Sequence, residues 1–265
     1  NLQQIPARNK EYGDKIRSLF LPEEGKQWGS FDYSQQEPRL VAHYAASIDE
    51  NFTGAQEFIT AYQNEAADFH QIVADMAGIS RTQAKTINLG LFYGMGKAKL
   101  SKELGISKDA AENLLGKYHN RVPFVKKLAE AVMSSASKYG FIRTIKGRKC
   151  RFDMWEPATF GMNKAMQYEE AKAIYGNNIR RAFTYKALNR LIQGSAADQT
   201  KQAMIECYKQ GFKPMLQIHD ELCFSINEES DIIKVKEIME NAIEGLKVPS
   251  KVDCAIGNSW GQAKE

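Results

Sequence analysis

Two short apolar runs, one near each end of the chain, close on acidic residues, and this pattern constrains the fold more than any other feature. The first is Trp28-Gly-Ser-Phe-Asp-Tyr-Ser-Gln-Gln-Glu37, with Asp32 where the apolar stretch stops. The second is Met215-Leu-Gln-Ile-His-Asp-Glu-Leu-Cys-Phe224, which carries Asp220. An ionised carboxylate inside an apolar run is costly unless something pairs with it, and a divalent cation is the strongest partner available. Leu216, Ile218, Leu222, Phe224 and Ile226 share one parity with Asp220, so a straight strand would carry Asp220 into the core. A tight turn at His219-Asp220-Glu221 avoids that and lifts the acids to a hairpin tip. Two readings stay open for these residues alone: a split site for two metal ions, and an ordinary acidic hairpin turn.

The chain has 265 residues, 43% of them hydrophobic, enough for one large domain or two subdomains with a sizeable core. A net charge of +4 is mild and does not by itself select a nucleic-acid partner. The distribution says more. Lys146, Arg148, Lys149 and Arg151 cluster, as do Arg180, Arg181, Lys186 and Arg190. Either group can track phosphates, and either can equally be a solvated face. Cys150, Cys207, Cys223 and Cys254 lack metal-ligand spacing, and Cys207 and Cys223 fall at core-like positions. All four are expected to be reduced thiols of a cytoplasmic protein, in the host cell if the protein is viral. No apolar run approaches membrane-spanning length and no signal peptide is evident, so no membrane partner is expected. The first residue is Asn, in mid-motif, so the chain reads as a fragment of a longer protein.

Residues 1–47 read as an extended entry, a strand through Phe31, and a helix carrying Leu40, Val41, Tyr44 and Ala45. Phe52 to Tyr139 is helical in pattern, with breaks near Gly78-Ile-Ser80, Gly105-Ile-Ser107 and Val122-Pro123. Phe141 to Phe152 alternates around Gly147, which predicts a short basic hairpin. A helix over Arg190 to Gln210, the acid hairpin, a helix from Ser230 to about Leu246 and a strand near Val252 to Ile256 follow. Strands from both ends flanking a helical middle predict an α+β fold.

Arg81, Lys85, Leu89 and Tyr93 recur every four residues, forming a helical stripe about 120° wide. A core stripe would not begin with Arg and Lys. Two cations near a helix N-terminus, with the partial positive charge of that terminus, can grip a polyphosphate.

Asp32-Tyr-Ser-Gln-Gln-Glu-Pro-Arg39, Arg81-Thr-Gln-Ala-Lys-Thr-Ile-Asn-Leu-Gly-Leu-Phe-Tyr-Gly94 and His219-Asp-Glu221 stand in series. In this order and with these separations the chain resembles a family A DNA polymerase, the polymerase I class. The likeness runs from Asn1-Leu-Gln-Gln-Ile-Pro-Ala-Arg8 to Gly257-Asn-Ser-Trp-Gly261, and Phe183 to Asp198 gives it a bacteriophage character. The resemblance implies an antiparallel-sheet palm interrupted by mostly helical fingers, with the thumb absent. The expected divisions are palm 1–50, fingers 51–185 and palm again 186–265. It also implies template-directed addition of deoxynucleotides to a primer 3′ end by two-metal-ion phosphoryl transfer, in which positioning and charge neutralisation dominate. The expected partners are primer–template DNA and deoxynucleoside triphosphates, with a monomeric chain and an unidentified processivity partner left open.

By the same resemblance Asp32, Asp220 and the main-chain carbonyl of Tyr33 hold two Mg²⁺ ions, which suit hard oxygen ligands. Glu221 is a weaker candidate acting through water, and Lys85 joins the three acids in the catalytic set. Arg81, Lys85 and His70, in Asp68-Phe-His70, would contact the incoming triphosphate. Leu89 would pack on its sugar and base, Tyr93 would stack near the template base, and Gln35 would lie against the nucleotide. Glu37 matches the steric gate that crowds a ribose 2′-hydroxyl. Gln193 and Asn189 match readers of minor-groove acceptors shared by all base pairs. His219 would lie beside the primer terminus, Gln3 and Arg8 on the duplex, and Gly90 and Gly94 where close approach or bending is needed.

The chain departs from the family in four places. Gln36 and Pro38 replace aliphatic residues, and Pro38 predicts that the helix after Asp32 starts later than usual. Leu89 replaces an aromatic residue, which implies discrimination against dideoxynucleotides. Tyr185 stands for an arginine, with Lys186 or Arg181 as substitutes. Two other functions stay open: a catalytically weak DNA-binding fragment without its thumb, and a single-subunit RNA polymerase, which the Glu37 gate and the chain's ending argue against.

Overall fold

The computed structural model describes residues 5, 12–48, 59–60, 62, 68–92, 95–159 and 164–263. They form a mixed α and β structure with antiparallel sheets, divided into two compact units. One unit takes residues 1–39 and 196–265 from both ends of the chain; the other is the continuous stretch 40–195.

The first unit is built on a four-stranded sheet. Its strands are β1 (Gln27–Tyr33), β6 (Leu216–Ile218), β7 (Glu221–Ile226) and β8 (Val252–Gly257), in the order β6-β7-β1-β8. Every neighbour is antiparallel. β1 is central, pairing Phe31 with Leu222 on one side and with Cys254 on the other. Because side chains alternate, Phe31, Tyr33, Leu222, Phe224, Ile226 and Val252 share one face. On them pack Ala203 and Cys207 of α9 (Ala187–Lys209) and Val235 and Met239 of α10 (Glu229–Glu240). The rings of Phe31 and Phe224 meet edge to face at 5.6 Å. Gly29 sits in mid-strand because a Cβ there would lie 2.7 Å from Ile226 Cγ1 and 2.8 Å from Phe31 Cε2. The opposite face carries a smaller cluster of Trp28, Ile218, Cys223 and Trp260.

The tight turn expected at the acid hairpin is present, and it divides one sequence parity between two faces. A two-residue turn, His219 and Asp220, joins β6 to β7, and Glu221 is already in the strand. The register sets Ile218 opposite Glu221 and Leu216 opposite Cys223. Leu216 and Ile218 therefore face the Trp28 cluster, while Leu222, Phe224 and Ile226 face the larger core. One sequence parity becomes two faces when the chain reverses over an even number of residues. Two boundaries also differ from the sequence pattern. The entry segment holds a short helix, α1 (Gly13–Arg17), and α10 stops at Glu240 rather than near Leu246. The helix α2 (Gln36–Ile48) starts at Gln36, one residue later than a cap at Ser34 would start it. Pro38 is then its third residue, where the missing N–H would have had no helical acceptor.

The second unit is mainly helical: α3 (Phe69–Ala77), α4 (Arg81–Phe92), α5 (Lys97–Leu104), α6 (Lys108–Arg121) and α7 (Pro123–Tyr139). The expected breaks fall where predicted. Gly78 and Gly105 close α3 and α5 in the left-handed conformation, at φ 64° and 65°, and Pro123 opens α7. Val73, Ala84, Ile87, Leu100, Tyr118, Phe124 and Leu128 form the buried interior. The basic hairpin exists as β2 (Phe141–Arg143) with β3 (Lys149–Arg151). A second hairpin, β4 (Trp155–Pro157) with β5 (Ile179–Arg181), brackets α8 (Tyr168–Tyr175) and was not expected. No helix among the described residues is long and apolar enough to cross a membrane.

Candidate active site

The sheet of the first unit brings together acids that lie far apart in sequence. Asp32 is opposite Glu221 on β7 and opposite Asp253 on β8. Asp220, in the adjoining turn, shares a side-chain hydrogen bond with Asp32. Burial pushes the Asp220 carboxyl above the usual range; its own main-chain N–H, His219 and the Asp32 bond oppose the shift, and Glu221 adds to it. Glu37 is raised as well, first by burial and then by the Asp220 charge.

The donor chemistry fits Mg²⁺, which is commonly bound through one or two carboxylates with waters and substrate phosphates completing the shell. Among the described residues no group of three or more His, Cys, Asp or Glu side chains is arranged to hold a metal ion. The pair therefore depends on main-chain, water and substrate oxygens. The Tyr33 hydroxyl is buried and donates to the Met239 carbonyl at 2.6 Å, so its side chain is already committed. Glu221 Oε1 accepts from Trp260 Nε1 at 3.1 Å and from Cys223 Sγ at 3.3 Å, which suits a supporting role.

Two of the three non-glycine residues with positive φ among those described flank these acids: His219 at 54° and Gln35 at 52°. Such strain is held only where the surroundings over-determine it, and it clusters at functional sites. Gln35 leads into α2, whose first turn is anchored by Gln36. The Gln36 amide donates to Ala196 O at 3.3 Å, Gln199 Oε1 at 3.2 Å and Thr200 Oγ1 at 3.2 Å. That buried polar net accounts for glutamine where the family has an aliphatic residue, and it sets the position of Glu37 beside it.

Removing the acid crowding has a measurable consequence. A carboxyl raised in the fold binds its proton more tightly there than in the unfolded chain. The resulting stability is present at low pH and is lost as pH rises through the folded-state value. Metal-free protein at neutral pH is therefore expected to gain stability from Asp220→Asn, by roughly 2–4 °C in Tm for each kcal/mol recovered. Mg²⁺ should raise the Tm of the unsubstituted protein and not that of the variant. Thermal unfolding at pH 5 and pH 8, with and without Mg²⁺, reads this directly. Equal Mg²⁺ shifts in both proteins would place the ion elsewhere.

In the second unit α4 begins with a reciprocal cap: Gln83 N–H donates to Ser80 Oγ at 3.2 Å, and Ser80 N–H to Gln83 Oε1 at 3.0 Å. Arg81 and Lys85 are exposed, whereas Ala84, Ile87 and Asn88 form the buried face. The cationic stripe is thus the solvent side of the helix. Asn88, fully buried, accepts from Tyr118 OH at 2.6 Å and meets His70 Nδ1 with its amide at 3.1 Å. With that amide donating, the proton of a neutral His70 sits on Nε2. Burial holds His70 below its ordinary value; Asp68 opposes this, and Lys85 and Arg81 reinforce it. Sequence reasoning missed Asn88, Tyr118, Asp68 and Asp253. A buried Asn on the apolar face of α4 was the one signal available.

Asn189 and Gln193 lie on α9, and Gln193 is exposed. The Asn189 amide nitrogen is buried without a hydrogen-bond partner. Arg181 donates to Phe152 O at 3.0 Å and stacks on Trp155 at 4.6 Å. Lys186, beside Tyr185, is exposed, with its ammonium 5.6 Å from that ring. Arg148 donates to Gly194 O and Arg190 to Arg151 O, tying the basic hairpin to α9. Gln3, Arg8, Tyr93 and Gly94 fall outside the described residues, as does the side chain of Leu89.

Comparison with known proteins agrees with this architecture. Residues 1–262 match the model of DNA polymerase family A. The chain belongs to that family. It is 38% identical over 99% of its length to a DNA-directed DNA polymerase of Pseudomonas phage M6, covering 42% of that protein. It is 36% identical over its full length to DNA polymerase I of Bacillus subtilis, covering 29% of it. Among solved structures it is similar to the POL domain of Pol1 from M. smegmatis in complex with DNA primer-template and dNTP, with a TM-score of 0.78 and 31% identity. That match covers 99% of this chain and 45% of the other. The chain thus spans less than half the length of each of these relatives.

Proposed function

We propose that this chain carries the catalytic core of a template-directed DNA polymerase that adds deoxynucleotides to a primer 3′ end. The sheet-based unit is the palm and the helical unit the fingers. The observation that carries the reading is the strand pairing that sets Asp32 opposite Glu221 beside the turn holding Asp220, so that acids from opposite ends of the chain meet at one end of the sheet.

In this reading Asp32, Asp220 and the Tyr33 carbonyl hold two Mg²⁺ ions, whose bound chemistry is activation of the 3′-oxygen and neutralisation of the departing pyrophosphate. The chain's own groups do the rest. Arg81, Lys85 and the Nε2–H of His70 bind the triphosphate, with the N-terminus of α4 adding its partial positive charge. Glu37, held through its neighbour Gln36, crowds the 2′ position and excludes ribose. Glu221 is fixed by Trp260 and acts through water. Asn189 and Gln193, both on α9, donate to minor-groove acceptors present in every base pair. His219 lies at the primer terminus. The same roles define the partners: primer–template DNA and deoxynucleoside triphosphates.

The test is extension of a labelled primer on a DNA template with Mg²⁺, using the full-length protein and either deoxy- or ribonucleotides. Extension with deoxynucleotides alone is the expected result. Extension with ribonucleotides would assign an RNA polymerase, and DNA binding without extension a non-catalytic remnant.

A further inference from the structure

Asp68 is engaged on both oxygens. Oδ1 accepts the main-chain N–H groups of His70 and Gln71, at 2.9 and 3.2 Å, and so caps α3. Oδ2 takes Arg81 through Nε at 2.7 Å and Nη2 at 2.6 Å. The carboxylate therefore grips the Nε–Nη2 side of the guanidinium, leaving the Nη1 end without a contact among the described residues. Arg81 is 52% exposed, and an arginine at such exposure would otherwise sample many rotamers. α3 and α4 are themselves locked together by the His70–Asn88–Tyr118 net, so both ends of the Asp68 bridge rest on rigid elements.

We propose that Asp68 is a positioning residue that fixes the plane of Arg81 and presents its open Nη1 edge, beside His70, to the phosphates of a nucleoside triphosphate. The inference rests on the reading of Arg81 as a triphosphate ligand. A planar guanidinium recognises phosphate through paired N–H groups, so holding it in one plane lowers the ordering cost of binding. Holding a negative charge near an anion site has the opposite electrostatic effect, because Asp68 by itself repels the ligand. The two effects predict opposite signs when the charge is removed, and positioning is the one the bridging geometry supports.

The experiment measures kcat and KM for a deoxynucleoside triphosphate in primer extension by the full-length protein and by Asp68→Asn, Arg81→Ala and the double variant. Asparagine keeps an oxygen to cap His70 and Gln71. Asp68→Asn is expected to raise KM about tenfold with kcat within about threefold, the signature of lost ligand positioning. The double variant should be no worse than Arg81→Ala alone, because Asp68 acts through that guanidinium. An unchanged or lower KM in Asp68→Asn overturns the proposal, as does a fall in Tm accompanied by equal losses in kcat and kcat/KM. If Arg81→Ala leaves KM unchanged, the triphosphate reading of Arg81 fails and this inference fails with it. If Arg81→Ala raises KM while Asp68→Asn does not, only the role of Asp68 falls.

Discussion

Replacing Asp32 or Asp220 with alanine is expected to slow nucleotide addition by about 10³-fold or more while leaving DNA binding largely intact. Each substitution removes one of the two carboxylates to which the proposed metal site is assigned. Losing metal-ion stabilisation costs several kcal/mol of transition-state binding, and each 1.4 kcal/mol is about tenfold in rate. Asp220→Ala also removes a carboxyl that burial raises and the charge that adds to the shift of Glu37, so that variant should be no less stable than the metal-free parent. Folding and chemistry are thereby separable. Single-turnover primer extension, paired with a DNA-binding titration, gives both readouts. A rate within about tenfold of the parent for either variant would sink the two-carboxylate reading. Glu221→Ala should be milder, since one oxygen of Glu221 is already occupied by Trp260 and Cys223.

Trp260→Ala is expected to destabilise the sheet-based unit by about 3–5 kcal/mol, the range for deleting a buried aromatic side chain. The indole is 2% exposed and meets Phe20 edge to face at 5.5 Å. It also carries the Arg17 guanidinium 4.3 Å from its ring and donates to Glu221. Gly261, next in the chain, admits α1 closely, since a Cβ there would lie 2.6 Å from the Asp14 carbonyl. Removing the indole thus leaves a cavity and frees the segment packed against it. Urea unfolding of the parent, Trp260→Ala and Trp260→Phe separates the contributions. Phenylalanine retains most of the burial but not the bond to Glu221, so it should recover much of the stability. A loss below about 1 kcal/mol for the alanine variant would show that this cluster does not hold the unit together.

Local chemistry in the sequence identified the acids, the cationic stripe on α4 and the helix breaks at Gly78, Gly105 and Pro123, because each depends on neighbours a few residues away. The parts that depended on pairing were not legible. Asp253 gains meaning only from its register opposite Asp32, and Asp68 only from a bond to Arg81 across the whole of α3 and a loop. The β4–β5 hairpin consists of two three-residue strands with a helix between them, one strand ending in Pro157. Segments that short carry no usable alternation. Pro38 constrains the start of α2 without fixing it. A proline is damaging in a helix interior and harmless in the first turn, so its effect depends on a start position that the sequence alone leaves open.

The central strand β1 finds both of its partners, β7 and β8, only after the whole of residues 40–195 has intervened. During synthesis at about 5–20 residues per second, β1 would wait on the order of ten seconds or more with both edges unpaired. The continuous stretch 40–195 can collapse in that interval from local helical contacts, which form fast. Nascent chains arrested before β7 emerges should therefore hold a protease-resistant helical body and a protease-sensitive β1. The carboxylates of Asp32 and Asp220 would meet only once β7 has left the ribosome.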